Sequence, residues 1–248
     1  MARIFCLLGL IVLVASFPLM GMWVSAVKGR DRSEIEAIIE EYIYKNPDKV
    51  VNAISRGQVA INKRKTRTKI LESKLDLEDN SYPSFGAGED GILLVEFFDY
   101  SCGYCKAVLP QIKQLLADEK ARISFRDLPT LGESSTLAAR AALAVYLINS
   151  DKYIDFYYAA LNHSGRFTEA AIIDIVESIG ISKESFTRSL EENSGKIEDM
   201  LSATRSLASR LNITGTPSVV VGDTVFVGSS DLQTLRDIIQ GEIDEKKR

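Results

Sequence analysis

Ile92-Leu93-Leu94-Val95-Glu96-Phe97-Phe98-Asp99-Tyr100-Ser101-Cys102-Gly103-Tyr104-Cys105-Lys106 is the stretch on which the fold turns. A nearly unbroken apolar run from Ile92 to Phe98 reads as a strand buried on both faces, and a helical pattern begins where it ends. Two cysteines spaced i, i+3 stand at that junction. In the first helical turn this spacing puts both on one face, with Cβ atoms roughly 5–6 Å apart, near enough to close a disulfide. The free N–H groups and positive dipole end of the helix favour a thiolate on the first sulfur. Cys102 therefore reads as the nucleophile and Cys105 as the resolving thiol. The helix does not suffice alone. Lowering a thiol from about 8.5 to about 5 takes roughly 4.8 kcal/mol, against about 2 at best from a helix end, so direct hydrogen bonds must supply the remainder.

Downstream, Arg122 to Arg126 alternates as a second strand, and a right-handed beta-alpha-beta unit results. From Glu133 to Leu211 the pattern is helical with Gly and Ser breaks. Strand character returns at Ser218–Val221 and Thr224–Val227 around Gly222-Asp223, a two-residue hairpin turn, and Asp231 caps a last helix through Ile239. Upstream, Ser33-Glu34-Ile35-Glu36 fits a capping box ahead of a stripe at Ile35, Ile38, Ile39, Tyr42 and Ile43. Asn46-Pro47-Asp48 opens a second helix. The Asp-, Ser-, Pro- and Gly-rich stretch 78–91 reads as a linker carrying at most an edge strand near Phe85.

At 248 residues and 46% hydrophobic, the chain has material for a full core. Met1 to Ala26 has one basic residue, Arg3, an apolar run from Ile4 to Trp23, and Val24-Ser25-Ala26 as a small-residue cleavage signature, so it reads as a secretory signal. The rival is an uncleaved anchor, although Pro18 and Gly21 interrupt the run. Cleavage would remove Cys6 and leave two cysteines, both in the motif, and 29 basic against 34 acidic residues, a balance that excludes a nucleic-acid partner. Export implies an oxidising compartment.

Each site residue has a plainer alternative. Zinc needs four ligands, and the exported chain offers no further cysteine and one histidine, His163, so no metal is expected. An inert bridge remains open, though closing so short a loop constrains little of the unfolded chain. Pro217 heads an apolar strand, either as a strand-start proline or in a cis turn. Glu96 interrupts a buried run. Either it reaches solvent at an edge, or burial raises its proton affinity toward neutral, as proton transfer requires. His163 reads as an exposed loop residue and Lys106 as a solvated helix position. Tyr153, Phe156, Tyr157 and Leu161 read as core, and the basic run 63–69 as a solvated helix face.

The strand, the Cys-Gly-Tyr-Cys helix, the helical insertion and Gly215-Thr216-Pro217 together resemble the DsbA family of secreted thiol-disulfide oxidoreductases, over about Ile92 to Ile243. The N-terminal part resembles, more loosely, the helical extension of the ScsC-like branch. The resemblance implies an α/β chain. Its thioredoxin fold would span 92–130 and 212–245, with an inserted all-helical domain at 131–211, a helical extension at 27–77 and a linker at 78–91. It implies Cys102 as attacking and Cys105 as resolving cysteine, Glu96 as the buried acid that relays protons, and Thr216-Pro217 as a cis-proline loop. That loop and Gly103-Tyr104 would meet the substrate. No cofactor beyond the Cys102-Cys105 disulfide is implied. The implied partners are unfolded or misfolded exported proteins, a membrane redox partner, and further copies of the chain joined through residues 33–75, at a periplasmic location. Gly-Tyr instead of Pro-His, and threonine before the proline, move the expectation from oxidase toward isomerase. A dithiol oxidase and a surface-anchored protein without turnover stand as alternatives.

Overall fold

The computed structural model describes residues 31–228 and 231–247, so the export segment Met1–Ala26 lies outside the described residues. The chain forms two compact units, one ending at Ile61 and one beginning at Asn62.

The first unit holds α1 (Arg32–Lys45) and the opening of α2 (Pro47–Glu72). Proline takes the first position of α2, where its missing N–H leaves no intrahelical bond unmade. The expected capping box at Ser33 does not form. Helix α1 opens on Asp31, whose carbonyl accepts from the Glu34 N–H at 2.9 Å, and Ser33 Oγ donates to Asp31 Oδ2 at 3.1 Å. Glu36 is drawn instead into an i,i+4 pair with Arg32 at 2.8 Å. The apolar stripe is uncovered: α1 buries no residue, and Ile35, Ile38, Ile39, Tyr42 and Ile43 are each 45% exposed or more.

The second unit is built on a five-stranded sheet. Its strands are β1 (Ser84–Gly86), β2 (Ile92–Phe98), β3 (Ala121–Asp127), β4 (Ser218–Val221) and β5 (Thr224–Val227), in the order β1-β3-β2-β4-β5. Only β2 and β3 run parallel, joined over α4 (Gly103–Ala117). Gly222 makes the β4–β5 turn at φ +55°, which a side chain would strain. The last helix, α10 (Leu232–Lys246), runs past Ile239, capped by Asp231 Oδ1 on the Thr234 N–H at 2.9 Å.

Register explains the apolar run in β2. Leu94, Glu96 and Phe98 share one face with Ile123, Phe125 and Asp127 of β3 and Val219 and Val221 of β4; Val95 and Phe97 lie on the other with Val220. The first face packs on Leu109, Ile112 and Leu115 of α4, on Leu235 and Ile239 of α10, and on the inserted helices. These are α5 (Glu133–Ile148), α6 (Lys152–Asn162), α7 (Glu169–Ser178), α8 (Lys183–Glu192) and α9 (Ser194–Arg210). The opposite face packs on Ile70 of α2, Leu77 of the short α3 (Lys74–Leu77), and Leu207 and Ala208 of α9. With both faces covered, alternation disappears from β2 and every residue but Leu93 is buried. This is the expected α/β class, a thioredoxin fold carrying inserted helices. Among the described residues no helix is long and apolar enough to cross a membrane.

Tyr153, Phe156, Tyr157 and Leu161 are core residues. Lys63, Arg64, Lys65 and Arg67 are exposed along α2, as a solvated face should be.

Candidate active site

The turn between β2 and α4 is held by Asp99. Its carboxylate, 1% exposed, accepts from the Ser101 N–H at 2.8 Å on one oxygen, and on the other from the Thr130 N–H at 2.7 Å, the Leu131 N–H at 3.1 Å and the Thr130 hydroxyl at 3.3 Å. The Asp99 carbonyl accepts from the Cys102 N–H at 3.0 Å. Removing that carboxylate leaves three backbone donors short of a partner, each worth about 1–3 kcal/mol where water cannot replace it. Asp99→Ala is therefore expected to lower unfolding stability by about 3 kcal/mol, read as a shift of the urea midpoint at unchanged slope.

Cys102 is the N-cap of α4, in extended conformation at φ −77°, ψ 118°. Burial alone would push its thiol up. The polar groups around the sulfur, namely the Thr216 side chain, the Cys105 and Tyr104 backbone N–H groups and the Cys105 side chain, outweigh that and hold it below its ordinary value. Such local polar groups add to what the helix dipole alone supplies. The Cys102 thiol also donates to the Thr216 carbonyl at 3.3 Å, and the Thr216-Pro217 peptide is cis. The loop is tied to its hairpin by the Gly228 N–H on the Pro217 carbonyl, at 2.8 Å, and by Ser218 Oγ on the Gly215 carbonyl, at 2.7 Å. Gly103 faces open space and Tyr104 is 71% exposed, so the dipeptide between the sulfurs lies at the surface.

Cys105 is the opposite of its neighbour. It has no exposure, and burial pushes its thiol far up. A backbone hydrogen bond from Asp99 opposes this in part, while the charges of Cys102 and Glu96 add to it. Both cysteines are free thiols. The asymmetry is chemical: one sulfur ionises readily, and the other needs a base.

Glu96 is near enough to Cys105 for its charge to push that thiol further up. It is 1% exposed, so the solvent-edge alternative does not apply. Tyr157 donates its hydroxyl to both carboxylate oxygens, at 3.0 and 3.2 Å. Burial raises Glu96 to about 8; the Tyr157 bond draws it down and the nearby Asp127 carboxyl adds to the rise.

Two expectations are corrected here. Lys106 is half-buried and donates Nζ to the His163 carbonyl at 2.6 Å, because α4 faces the end of α6 rather than water. His163 is half-buried too, with its ring 5.1 Å from Phe167. Two residues escaped the sequence reading altogether, Asp99 and Asp127. The available signal for Asp127 was its parity with Ile123 and Phe125, which puts a carboxyl on a core-facing position of β3. Among the described residues no cluster of His, Cys, Asp and Glu has the composition to hold a metal ion.

Two thiols of such unequal acidity on the first turn of a helix, with a cis-proline loop across from them, form a centre built to cycle between dithiol and disulfide. That is the chemistry of the thioredoxin-fold oxidoreductases. Comparison with known proteins narrows the class. The family model of the DSBA-like thioredoxin domain matches residues 93–240, and the chain belongs to that family of thiol-disulfide oxidoreductases. Among solved structures, the thiol-disulfide exchange protein alpha-DsbA2 from Wolbachia pipientis superposes at TM-score 0.72 with 42% identity, over 73% of this chain and 97% of that one. The catalytic domain of Proteus mirabilis ScsC matches at TM-score 0.64 and 26% identity, covering 72% and 98%. Disulfide bond formation protein D of Bacillus subtilis is 24% identical over 184 residues, 66% of this chain and 78% of that protein.

Proposed function

We propose that this protein exchanges disulfides in exported proteins outside the cytosol, and that it works chiefly as an isomerase. The observation that carries the reading is the contrast between Cys102 at the helix N-cap, held below its ordinary value by the polar groups around it, and Cys105, sealed and pushed up. The Cys102 thiolate attacks one sulfur of a substrate disulfide and displaces the other as a thiolate. In isomerisation a substrate thiolate then attacks the mixed disulfide, forms a new substrate disulfide and releases Cys102 unchanged. In reduction, Cys105 gives its proton to the Glu96 carboxylate and attacks the Cys102 sulfur. The substrate sulfur held in the mixed disulfide leaves as a thiolate, and the two electrons gained by the substrate are those given up by the Cys102 and Cys105 thiols as they are oxidised to the disulfide. Thr216 offers its backbone to an extended substrate strand, with Pro217, Gly103 and Tyr104 at the contact. No cofactor enters. The low proton affinity of Cys102 also supports a second reading as a dithiol oxidase, which a membrane redox partner would recharge.

The uncovered stripe of α1 supports self-association through the N-terminal helices, which would turn several dithiol centres toward one misfolded substrate. The test leaves the second unit intact: Ile39→Glu with Ile43→Glu. The wild-type chain is expected to sediment as an oligomer and the double variant as a monomer. Scrambled-ribonuclease refolding should fall about tenfold while dithiol oxidation stays within about twofold. A monomeric wild type, or equal loss of both activities, would overturn the isomerase reading.

A further inference from the structure

Glu96 is not alone in the core. Asp127, 2% exposed, closes β3 on the same face of the sheet. The parallel register pairs Glu96 with Phe125 and Phe98 with Asp127, so the two acids lie on neighbouring strands, offset by two residues. From strand spacing and rise their Cα atoms are roughly 8 Å apart. Helix α6 crosses both. Tyr157 donates to Glu96, and Tyr153, one turn earlier, donates to Asp127 Oδ2 at 3.0 Å. The Phe125 ring fills the space between, with its centroid 4.7 Å from Tyr157 and 5.8 Å from Tyr153. Asp127 Oδ1 is buried without a hydrogen bond, and so is the Tyr100 hydroxyl, which faces the same carboxyl.

We propose that Asp127 is a positioning residue coupled to Glu96, whose charge sets how readily Glu96 takes and releases the proton of Cys105; the inference rests on the exchange chemistry proposed above. The groups that face Asp127 are Tyr153 from α6, Tyr100 and Asp99 from the β2–α4 turn, and Glu96 from β2. The groups that face Glu96 are Tyr157 and Tyr158 from α6, Tyr100 from the β2–α4 turn, Asp127 and, from α4, Cys105. None is a cation. The cation nearest in sequence, Arg126, lies on the other face of the sheet, over the Tyr82 ring at 3.4 Å and bonded to the Asp76 carbonyl at 2.8 Å. Two buried carboxyls with no counter-charge share at most one negative charge at neutral pH. Burial accordingly raises Asp127 to about 7, with the Tyr153 bond and the facing Tyr100 hydroxyl drawing it down. Ionising either acid makes the other hold its proton more tightly, so the pair titrates as a unit.

The sign of the effect follows. Neutralising Asp127 removes a like charge, so Glu96 releases its proton at lower pH. In the full chain carrying 13C-carboxyl-labelled Asp and Glu, with Glu96→Gln used to assign the signal, Asp127→Asn is expected to lower the Glu96 midpoint by about one pH unit. The Cys102 thiolate titration, followed by ultraviolet absorbance, should stay in place. The pH profile of resolution by Cys105 should move down with Glu96. Tyr153→Phe serves if Asp127→Asn does not fold. Losing the hydroxyl makes Asp127 hold its proton to higher pH, so the Glu96 midpoint should fall again, by less. An unmoved Glu96 midpoint in a folded variant of either kind overturns the coupling and leaves Asp127 a structural residue. A moved midpoint in a protein without exchange activity would instead uphold the coupling and overturn the function on which its use depends.

Discussion

Cys102→Ser is expected to abolish insulin reduction, dithiol oxidation and scrambled-ribonuclease refolding together, each falling about a thousandfold or more, to the uncatalysed background. The substitution keeps the shape of the N-cap, since serine is a favoured residue there, so the fold should hold within about 1 kcal/mol. What disappears is a sulfur able to be a thiolate and to be attacked in turn. Cys105 does not take over. It is fully buried, and its thiol is pushed far above the ordinary range by burial, with the charges of Cys102 and Glu96 adding to it. Cys105→Ser is expected to differ in kind: substrate should accumulate as a mixed disulfide on Cys102, visible on a non-reducing gel and released by reductant. Persistence of any of the three activities at the wild-type rate in Cys102→Ser would refute the assignment of the nucleophile.

The parts of this site that could be read from the sequence are those made by neighbours along the chain. The apolar run of β2 declared a doubly covered strand, and the i, i+3 cysteines at its end declared the helix start, because both signals rest on local periodicity. Glu96 was legible for the same reason, as a charge inside a run that has no solvent face. Asp99 was not legible and Asp127 only faintly so, through its parity with Ile123 and Phe125, because their meaning lies across the fold. Asp99 acts through Thr130 and Leu131, some thirty residues on, and an Asp directly after a strand reads first as an ordinary turn residue. Asp127 ends its strand beside Arg126, and an adjacent Arg-Asp pair looks like an exposed strand end. Only the strand register and the two tyrosines of α6 show that the two side chains point to opposite faces. The misread Lys106 and His163 belong to the same group: the end of α6 covers a helix position that the sequence leaves to solvent. At Ser33 the competition was local, between a capping box and an Arg32–Glu36 pair, and the pair formed.

Glu96→Gln is expected to move stability and catalysis in opposite directions. An unfolded glutamate ionises near 4.5, whereas the folded protein holds its proton up to about 8. Below 4.5 both states are protonated and the group costs nothing. Between 4.5 and about 8 only the unfolded state releases the proton, so the folded protein loses stability steadily as the pH rises, on the order of 4 kcal/mol by pH 8. Glutamine does not ionise, and it still accepts the Tyr157 hydroxyl. Urea unfolding at pH 8 should therefore show the variant more stable than wild type by a few kcal/mol, with little difference at pH 4. A shallower loss should remain in Glu96→Gln, because Asp127 is raised from 3.8 to about 7 by the same burial and acts in the same sense. Catalysis should change the other way. Without a carboxylate to take the Cys105 proton, release of substrate from the mixed disulfide should slow by about ten- to a hundredfold, while the first attack by Cys102 keeps its rate. The two results together separate a proton carrier from a packing residue. Losing a mere packing partner would lower stability at every pH and leave the resolution step alone, whereas a buried carboxyl kept for proton transfer lowers stability at the pH where it works.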